Sequence, residues 1–518
     1  MRKLYAIFTD PMKKSSRFVA IQGHFYQPPR EDPWTGELPP DPSAAPDHDW
    51  NERIARECYI PNGRARVAGR GNEILRIVNN YQSLNFDFGP TLTRWYAKKH
   101  PDEYRRIVAA FRESALRLGH GNALGHPYHH SILPLLSRRD RMTELRWGLA
   151  DFRRRFGRGP EGLWLPEMGA DDPTLHDVAS VGIKFVVLTS TQLDAAAPLG
   201  SEDWKAFPDV GSAPLEPFAW SDGSQSLALF FSDADLSRRI SFERLLSNAE
   251  SCAESIAASL GQAGGAPRLL CVATDGETFG HHQKFADMGL AYLFLEELPK
   301  HGVSVTNFAS FLAANPPRRR ARLKAGSENL GVSWSCAHGT RRWRDACGCG
   351  SEGKSQAWKR PFFDAMRWLN TEIGSIFIEA GREVFRDPWA AREDYGEALA
   401  DPSRHEWSLL LSRHLKVRGQ AHRAQARALL EMERHALAAM TSCAWFFTDI
   451  GGIEAVLNLK NAARAVELAR ETAGIDIEPE LRRRLAAAPS NDPAFGTGEG
   501  VYLELARPPE KLSSSSLM

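Results

Sequence analysis

Up to about residue 355 the chain alternates short apolar runs with longer amphipathic stretches, and few folds accommodate that alternation. The runs are Phe18 to Gln22, Leu84 to Phe88, Gly162 to Leu165, Lys184 to Leu188, Leu227 to Phe231, Leu269 to Ala273 and Val303 to Val305. Strands separated by helices must return parallel to one another, so the expected class is α/β, a barrel or an open parallel sheet. PDEYRRIVAAFRESALRLG at 101–119 illustrates the helical partner, with acids in its first turn, apolar residues at 3.6-residue spacing and Gly119 as a stop. Beyond 355 the pattern changes to long helical periodicity without a convincing strand. The expected organisation is an N-terminal extension at 1–17, an α/β unit at 18–354, a helical domain at 355–480 and a largely irregular tail at 481–518.

Composition narrows the partners. A chain of 518 residues with 42% hydrophobic content can bury a large core. Its 65 Lys and Arg against 64 Asp and Glu leave no global field for nucleic acid. No segment approaches eighteen consecutive apolar residues, so no membrane partner is expected. The N-terminal run Leu4 to Phe8 is too short for a signal peptide, and seven Cys are an odd number, which together suggest a reduced cytoplasm. Basic stretches such as PRRRARLK read as solvated surface.

Two acid-bearing segments stand out. In GLWLPEMG at 162–169, Pro166 ends an apolar run and leaves Glu167 just past a strand end; in CVATDGETFGHH at 271–282, an apolar run meets Asp275 and Glu277. Carboxylates beside apolar strand ends are costly unless partnered. A pair with one raised pKa and one ionised member is what glycosidic bond cleavage requires. In FVAIQGHFYQPPRED, His24, Tyr26 and Pro28 share one face if the chain stays extended. The loop GHGNALGHPYHHSILPLL holds His120, His126, His129 and His130, which suit sugar hydroxyls or a metal. In WSCAHGTRRWRDACGCG, Cys336, His338, Cys347 and Cys349 form a zinc-type donor set, but C-x-C is tighter than the usual structural spacing. The segment is therefore expected to be a loop over the site, with Trp334, His338, Arg341, Trp343 and Asp345 facing substrate and no metal or cofactor assigned.

HFYQPP, HPYHHSILPLL, WLPE and TDGETFGHH, in that order, resemble the motifs of glycoside hydrolase family 57, the retaining enzymes active on α-glucans. The resemblance covers roughly residues 18–350; DWNERIARECYIPNGRARV, WSCAHGTRRWRDACGCG and the helical half resemble a subgroup whose C-terminal domain has no known function. It implies a seven-stranded (β/α) barrel followed by helices. It further implies Glu167 as nucleophile, Asp275 as general acid/base, and His24 and His130 as ligands of the reacting sugar. Tyr26 stands where the family's HxHQP motif has its second His, a departure at the reacting subsite.

With those roles, Glu167 attacks the anomeric carbon while Asp275 protonates the departing oxygen, and configuration is retained, which requires carboxyl groups about 5–5.5 Å apart. Trp164, Trp334 and Trp343 are candidate stacking walls, and Glu277, two residues from Asp275, is a candidate supporting acid on the same face. An α-glucan or oligosaccharide is the expected partner. The alternatives are a zinc-dependent mannosidase-like or deacetylase-like hydrolase, in which WLPE and TDGE have no role, and a catalytically silent carbohydrate-binding barrel.

Overall fold

The computed structural model describes residues 16–507 apart from 70, 72, 208–213, 351 and 418. The expected extension at 1–17 thus falls almost wholly outside the described residues, as does the end of the expected tail.

The first strand, Arg17–Phe25, organises the barrel. Along one edge it pairs in parallel with Arg268–Asp275, from Arg17 opposite Arg268 to His24 opposite Asp275. Its other edge pairs in parallel with Asn85–Phe88, which sets His24 opposite Asp87. From there parallel bridges join Phe86 to Ala123 and Gly125 to Leu163. The path continues through Gly162–Leu163, Phe185–Thr189 and Ser226–Ser232, and Ser232 opposite Cys271 closes it. Seven parallel staves, taken in chain order, complete the circuit.

The number seven agrees with the expected runs, but the membership differs. Ser304–Val305 is an outlying strand that pairs only with Phe18 and Val19. The third stave is the segment 123–125, held by single bridges inside a Gly- and His-rich loop. Its pairing is too short to require the apolar run by which strands are recognised. A ribbon of Leu193–Pro198, Lys205–Ala206, Phe218–Ser221 and Arg319–Leu323 extends from the sixth stave, antiparallel except where Arg319 and Arg320 pair in parallel with Phe218 and Ala219.

Strand alternation sorts the first stave. Phe18 and Ala20 belong to the same apolar cluster as Leu269, Cys271 and Ala273, whereas Val19, Ile21, Leu270 and Val272 pack with Leu92, Ile107, Leu236 and Ile256 on the surrounding helices. Gln22 and His24 continue the inner parity, so polar side chains enter the barrel only near its C-terminal end. Pro101–Leu118 forms the expected helix, with Asp102 and Glu103 in its first turn and Gly119 at φ 76° ending it.

The C-terminal half is helical, with Lys359–Val384, Gln420–Ala438 and Ile453–Ala473 packed on one another. Residues 481–507, read from sequence as largely irregular, include the end of the helix Glu478–Leu485 and the helix Gly498–Val501 and bury Leu481, Leu485, Val501 and Tyr502; the apolar faces are short and separated by Gly and Pro, so periodicity understates them. Among the described residues no helix is long and apolar enough to cross a membrane.

Pro388–Ala400 packs on the barrel helix Arg138–Phe156. Trp147, fully buried there, donates from Nε1 to the Arg392 carbonyl at 2.7 Å and meets the Tyr395 ring edge-on at 5.5 Å. A Cβ on Gly396 would lie 2.7 Å from the Trp147 ring, so only glycine lets the helices approach this closely. Trp147→Ala is expected to cost about 3–5 kcal/mol and Gly396→Leu to overpack the same contact; both should lower the midpoint in chemical denaturation followed by circular dichroism.

Candidate active site

The site lies where the staves end, the place at which parallel barrels and sheets present their ligands. Register alone puts Asp275, His24 and Asp87 in one row across three adjacent staves. His24 Nδ1 lies 2.7 Å from Asp87 Oδ2, and Gln22 Nε2 donates to Asp87 Oδ1 at 2.8 Å. Burial pushes His24 down to about 4, against the opposing pull of Asp275 and Glu167, and raises the Asp87 carboxyl.

His24 Nε2 lies 3.0 Å from His130 Nε2, and His130 Nδ1 lies 2.6 Å from the Ser442 hydroxyl. Burial, followed by the neighbouring His24 and His126, depresses His130. A chain Asp87–His24–His130–Ser442 with both imidazoles neutral satisfies every contact, the protons pointing one way or the other along it. Ser442 belongs to the helical half, and its backbone N–H also donates to the His130 carbonyl at 2.8 Å. The two halves therefore meet inside the site. Tyr26 stacks on His130 at 4.2 Å and on His24 at 6.1 Å, as extended spacing predicts.

Glu167 follows the short stave Gly162–Leu163 and adopts φ 57°, with Met168 next to it at φ 49°. Two successive non-glycine residues in the left-handed region cost about 1–3 kcal/mol each, so the surroundings must hold them. Gln192 Nε2 donates to the Met168 carbonyl at 2.8 Å, and the Trp334 backbone N–H donates to the Glu167 carbonyl at 3.1 Å. The Glu167 carboxylate accepts at Oε2 from Trp334 Nε1 at 2.9 Å and from the Ser335 hydroxyl at 2.8 Å. These donors fix the carboxylate rotamer.

Asp275 ends its stave with an edge open to solvent, while the surrounding protein mass desolvates it. Its pKa is pushed up to about 6 by that desolvation, with Glu167 and Asp87 raising it further and His24 opposing them. Two carboxyl groups of unlike surroundings thus face one mouth: Glu167 bound by two neutral donors, Asp275 with no hydrogen-bond partner of its own among the described contacts.

The family model described as Glycosyl hydrolase family 57 matches residues 17–324. The chain belongs to glycosyl hydrolase family 57. A second model, a domain of unknown function, matches residues 355–515. A probable 1,4-alpha-glucan branching enzyme of Mycobacterium tuberculosis is 36% identical over 88 residues, which is 16% of this chain and 17% of that protein. Alpha-amylase 1 of Dictyoglomus thermophilum is 23% identical over 105 residues, 20% of this chain and 15% of that protein. The matched stretches therefore span under a fifth of these relatives' length. Among solved structures, an exo-type maltose-forming amylase from Pyrococcus sp. ST04 superposes with a TM-score of 0.66 at 16% identity, covering 91% of this chain and 83% of that one. A branching enzyme from Pyrococcus horikoshii gives 0.58 at 14% identity, covering 90% and 94%. These likenesses establish that the family 57 barrel fold extends to this chain.

Within this family 57 barrel several expected site residues lie elsewhere. Trp164 is fully buried, stacked on His24 at 4.9 Å and edge-on to Trp334 at 5.2 Å, so it backs the site and is no wall for a sugar. Trp343 is 1% exposed and sits in the core, because the helical turn Gly339–Trp343 rotates it inward. Of the three tryptophans only the half-buried Trp334 reaches the site. Glu277 does not share a face with Asp275, because the chain turns at Gly276–Thr278. Its carboxyl is buried, accepts from the Tyr59 hydroxyl at 2.6 Å, and is pushed up to about 8 by desolvation. His338 turns away toward Cys336 and Cys349, Arg341 lies beside Glu328, and Asp345 pairs with Arg344 and Arg360. Of the four clustered histidines, His126 and His130 join His24, whereas His120 is held by Glu161 and His129 by Glu144.

Sequence reasoning missed Asp87, Ser335 and Ser442. Asp87 was signalled by an acid within the apolar run NFDF; Ser442, distant in sequence from His130, carried no signal. Ser335→Ala and Trp334→Phe each remove one donor to the Glu167 carboxylate. A hydrogen bond to a charged group is worth about 1.5–3 kcal/mol. Each variant is expected to lose about tenfold to a hundredfold in kcat, with the pair less than additive in steady-state kinetics.

Proposed function

We propose that this protein is a retaining enzyme acting on α-1,4-linked glucan, with Glu167 as nucleophile and Asp275 as general acid/base. The observation that carries the reading is the asymmetry of the two carboxyl groups at one barrel mouth, one fixed by two donors and the other pushed up to about 6 by desolvation. That division suits one group to attack and the other to carry a proton. Glu167 attacks the anomeric carbon as the glycosidic C–O bond breaks, and Asp275 gives its proton to the leaving oxygen. Asp275, now ionised, takes a proton from water or an acceptor sugar hydroxyl, which attacks the same carbon and releases Glu167. His24 and His130 would bind hydroxyls of the reacting sugar, which must then replace their mutual contact. Tyr26 offers no ring nitrogen where the family motif has one, so this subsite differs in its hydrogen bonding.

The similar proteins, an amylase, a probable branching enzyme and a maltose-forming amylase, support an α-glucan as substrate. Ser442 on the histidine chain supports a role for the helical half in shaping the cleft, and so in choosing water or a sugar as acceptor. A second reading, a zinc-dependent hydrolase, has one observation in its favour: ligand atoms of His24, His126 and His130 lie within 4.8 Å of one another. Glu167 and Asp275 have no role in that reading, which favours the glycosidase.

Products from maltooligosaccharides, amylose and glycogen, followed for chain length, branch points and anomeric configuration, test the proposal. Turnover with retained α configuration, abolished in Glu167→Gln and lowered about 10²- to 10⁴-fold in Asp275→Asn, is expected. No turnover on any glucan, or turnover unchanged in Glu167→Gln, would overturn it.

The pH profile makes a separate prediction. A general acid must be protonated at the start of the glycosylation step, so kcat/KM should fall as pH rises through the Asp275 value of about 6. A fall centred near 8 would instead assign the proton to Glu277.

A further inference from the structure

Immediately after the Trp334–Ser335 pair, the chain gathers four metal-type donors. Cys336 Sγ lies 3.9 Å from Cys347 Sγ, 3.8 Å from Cys349 Sγ and 3.7 Å from His338 Nδ1, and Cys349 Sγ lies 3.5 Å from the same nitrogen. All four ligand atoms fall within 4.8 Å of one another. Zinc–sulfur bonds of about 2.3 Å and zinc–nitrogen bonds of about 2.0–2.1 Å in tetrahedral array give edges of about 3.8 Å between sulfurs and about 3.6 Å from sulfur to nitrogen. The four separations match that figure. The sulfurs are too far apart for any pair to be a disulfide, and all three cysteines are free.

The surroundings are built for such a centre. Gln356 closes the cysteine loop, with Oε1 accepting from the backbone N–H groups of Cys347 and Gly348, both at 3.0 Å, and Nε2 donating to the Cys349 carbonyl at 2.8 Å. Gly348 at φ 80°, between the two cysteines, takes the left-handed turn that lets both thiols of the C-x-C pair reach one centre, which is how the tight spacing is accommodated. Lys359, buried at the start of the long helix Lys359–Val384, lies within electrostatic reach of all three cysteines and donates to the Arg342 carbonyl at 3.2 Å. Three thiolates, a neutral imidazole and a divalent ion carry net −1, which that ammonium offsets.

We propose that Cys336, His338, Cys347 and Cys349 bind one zinc ion in a closed, structural site that staples both ends of the 336–349 loop together directly after the Trp334–Ser335 pair. Four protein donors leave no position for water or substrate, so the ion supplies rigidity and no catalysis. Binding displaces the thiol protons to solvent. The site stands apart from the His24, His126 and His130 group and does not depend on the catalytic reading.

The test is metal content by inductively coupled plasma mass spectrometry of the full chain, purified without added metal and again after zinc addition and desalting. One zinc per chain is expected in the parent protein and in His126→Ala, with loss in Cys347→Ser/Cys349→Ser and weakened retention in His338→Ala. Cobalt exchanged into the parent protein should give thiolate-to-cobalt charge transfer and the intense visible bands of a tetrahedral site, a readout that needs no variant to fold. A parent chain that takes up no zinc, a cobalt spectrum without thiolate charge transfer, or zinc kept by the double cysteine variant and lost in His126→Ala would each overturn the proposal. Failure of glucan turnover leaves these readouts unaffected.

Discussion

The parallel register of the first strand with its two neighbours is the constraint on which the site depends. Because partners in register point to the same side, setting Arg17 opposite Arg268 fixes His24 opposite Asp275, and the pairing with Asn85–Phe88 fixes Asp87 in the same row. A slip of one residue would turn His24 and Asp275 outward and bring Phe25 and Gly276 into the barrel. The alternation prevents it: Val19, Ile21, Leu270 and Val272 pack against helices, and moving them inward would exchange the two apolar clusters. The position of the acids is thus enforced by the burial of residues that never approach a substrate.

The polar residues of the mouth are tolerated because they are paired. Asp87, fully buried, is held by His24 and Gln22, and the left-handed backbone at Glu167 is held by Gln192 and Trp334. Each is expensive alone. Asp275 is the exception, exposed at the mouth and without a hydrogen-bond partner of its own among the described contacts, and the protein packed around it pushes its pKa up to about 6. The helical half completes the arrangement through Ser442 on His130, so the barrel mouth and the C-terminal helices form one environment.

The alternation of apolar runs and amphipathic segments predicted a parallel α/β unit, and the motif order predicted seven strands and the family. Both are in the structure, although the third stave at 123–125 is too short to announce itself and Val303 to Val305 took its place in the sequence reading. Glu167, Asp275, His24 and Tyr26 were legible because each follows an apolar run that stops abruptly, and His130 because it stands in a His-rich loop that leads into one. Trp343 and Glu277 were misplaced because a short turn reorients a side chain without altering composition, and Trp164 because its burial beneath His24 and Trp334 is a tertiary contact.

By itself the sequence determined six of the seven barrel staves and which strand ends carry acids and imidazoles, because these follow from apolar runs and from the cost of burying charge. Only the tertiary structure decided which donors hold Glu167, that Asp87 and Ser442 terminate the histidine chain, and that Cys336, His338, Cys347 and Cys349 converge. Those contacts join segments tens to hundreds of residues apart, or depend on left-handed turns at single glycines. Local propensity does not encode either.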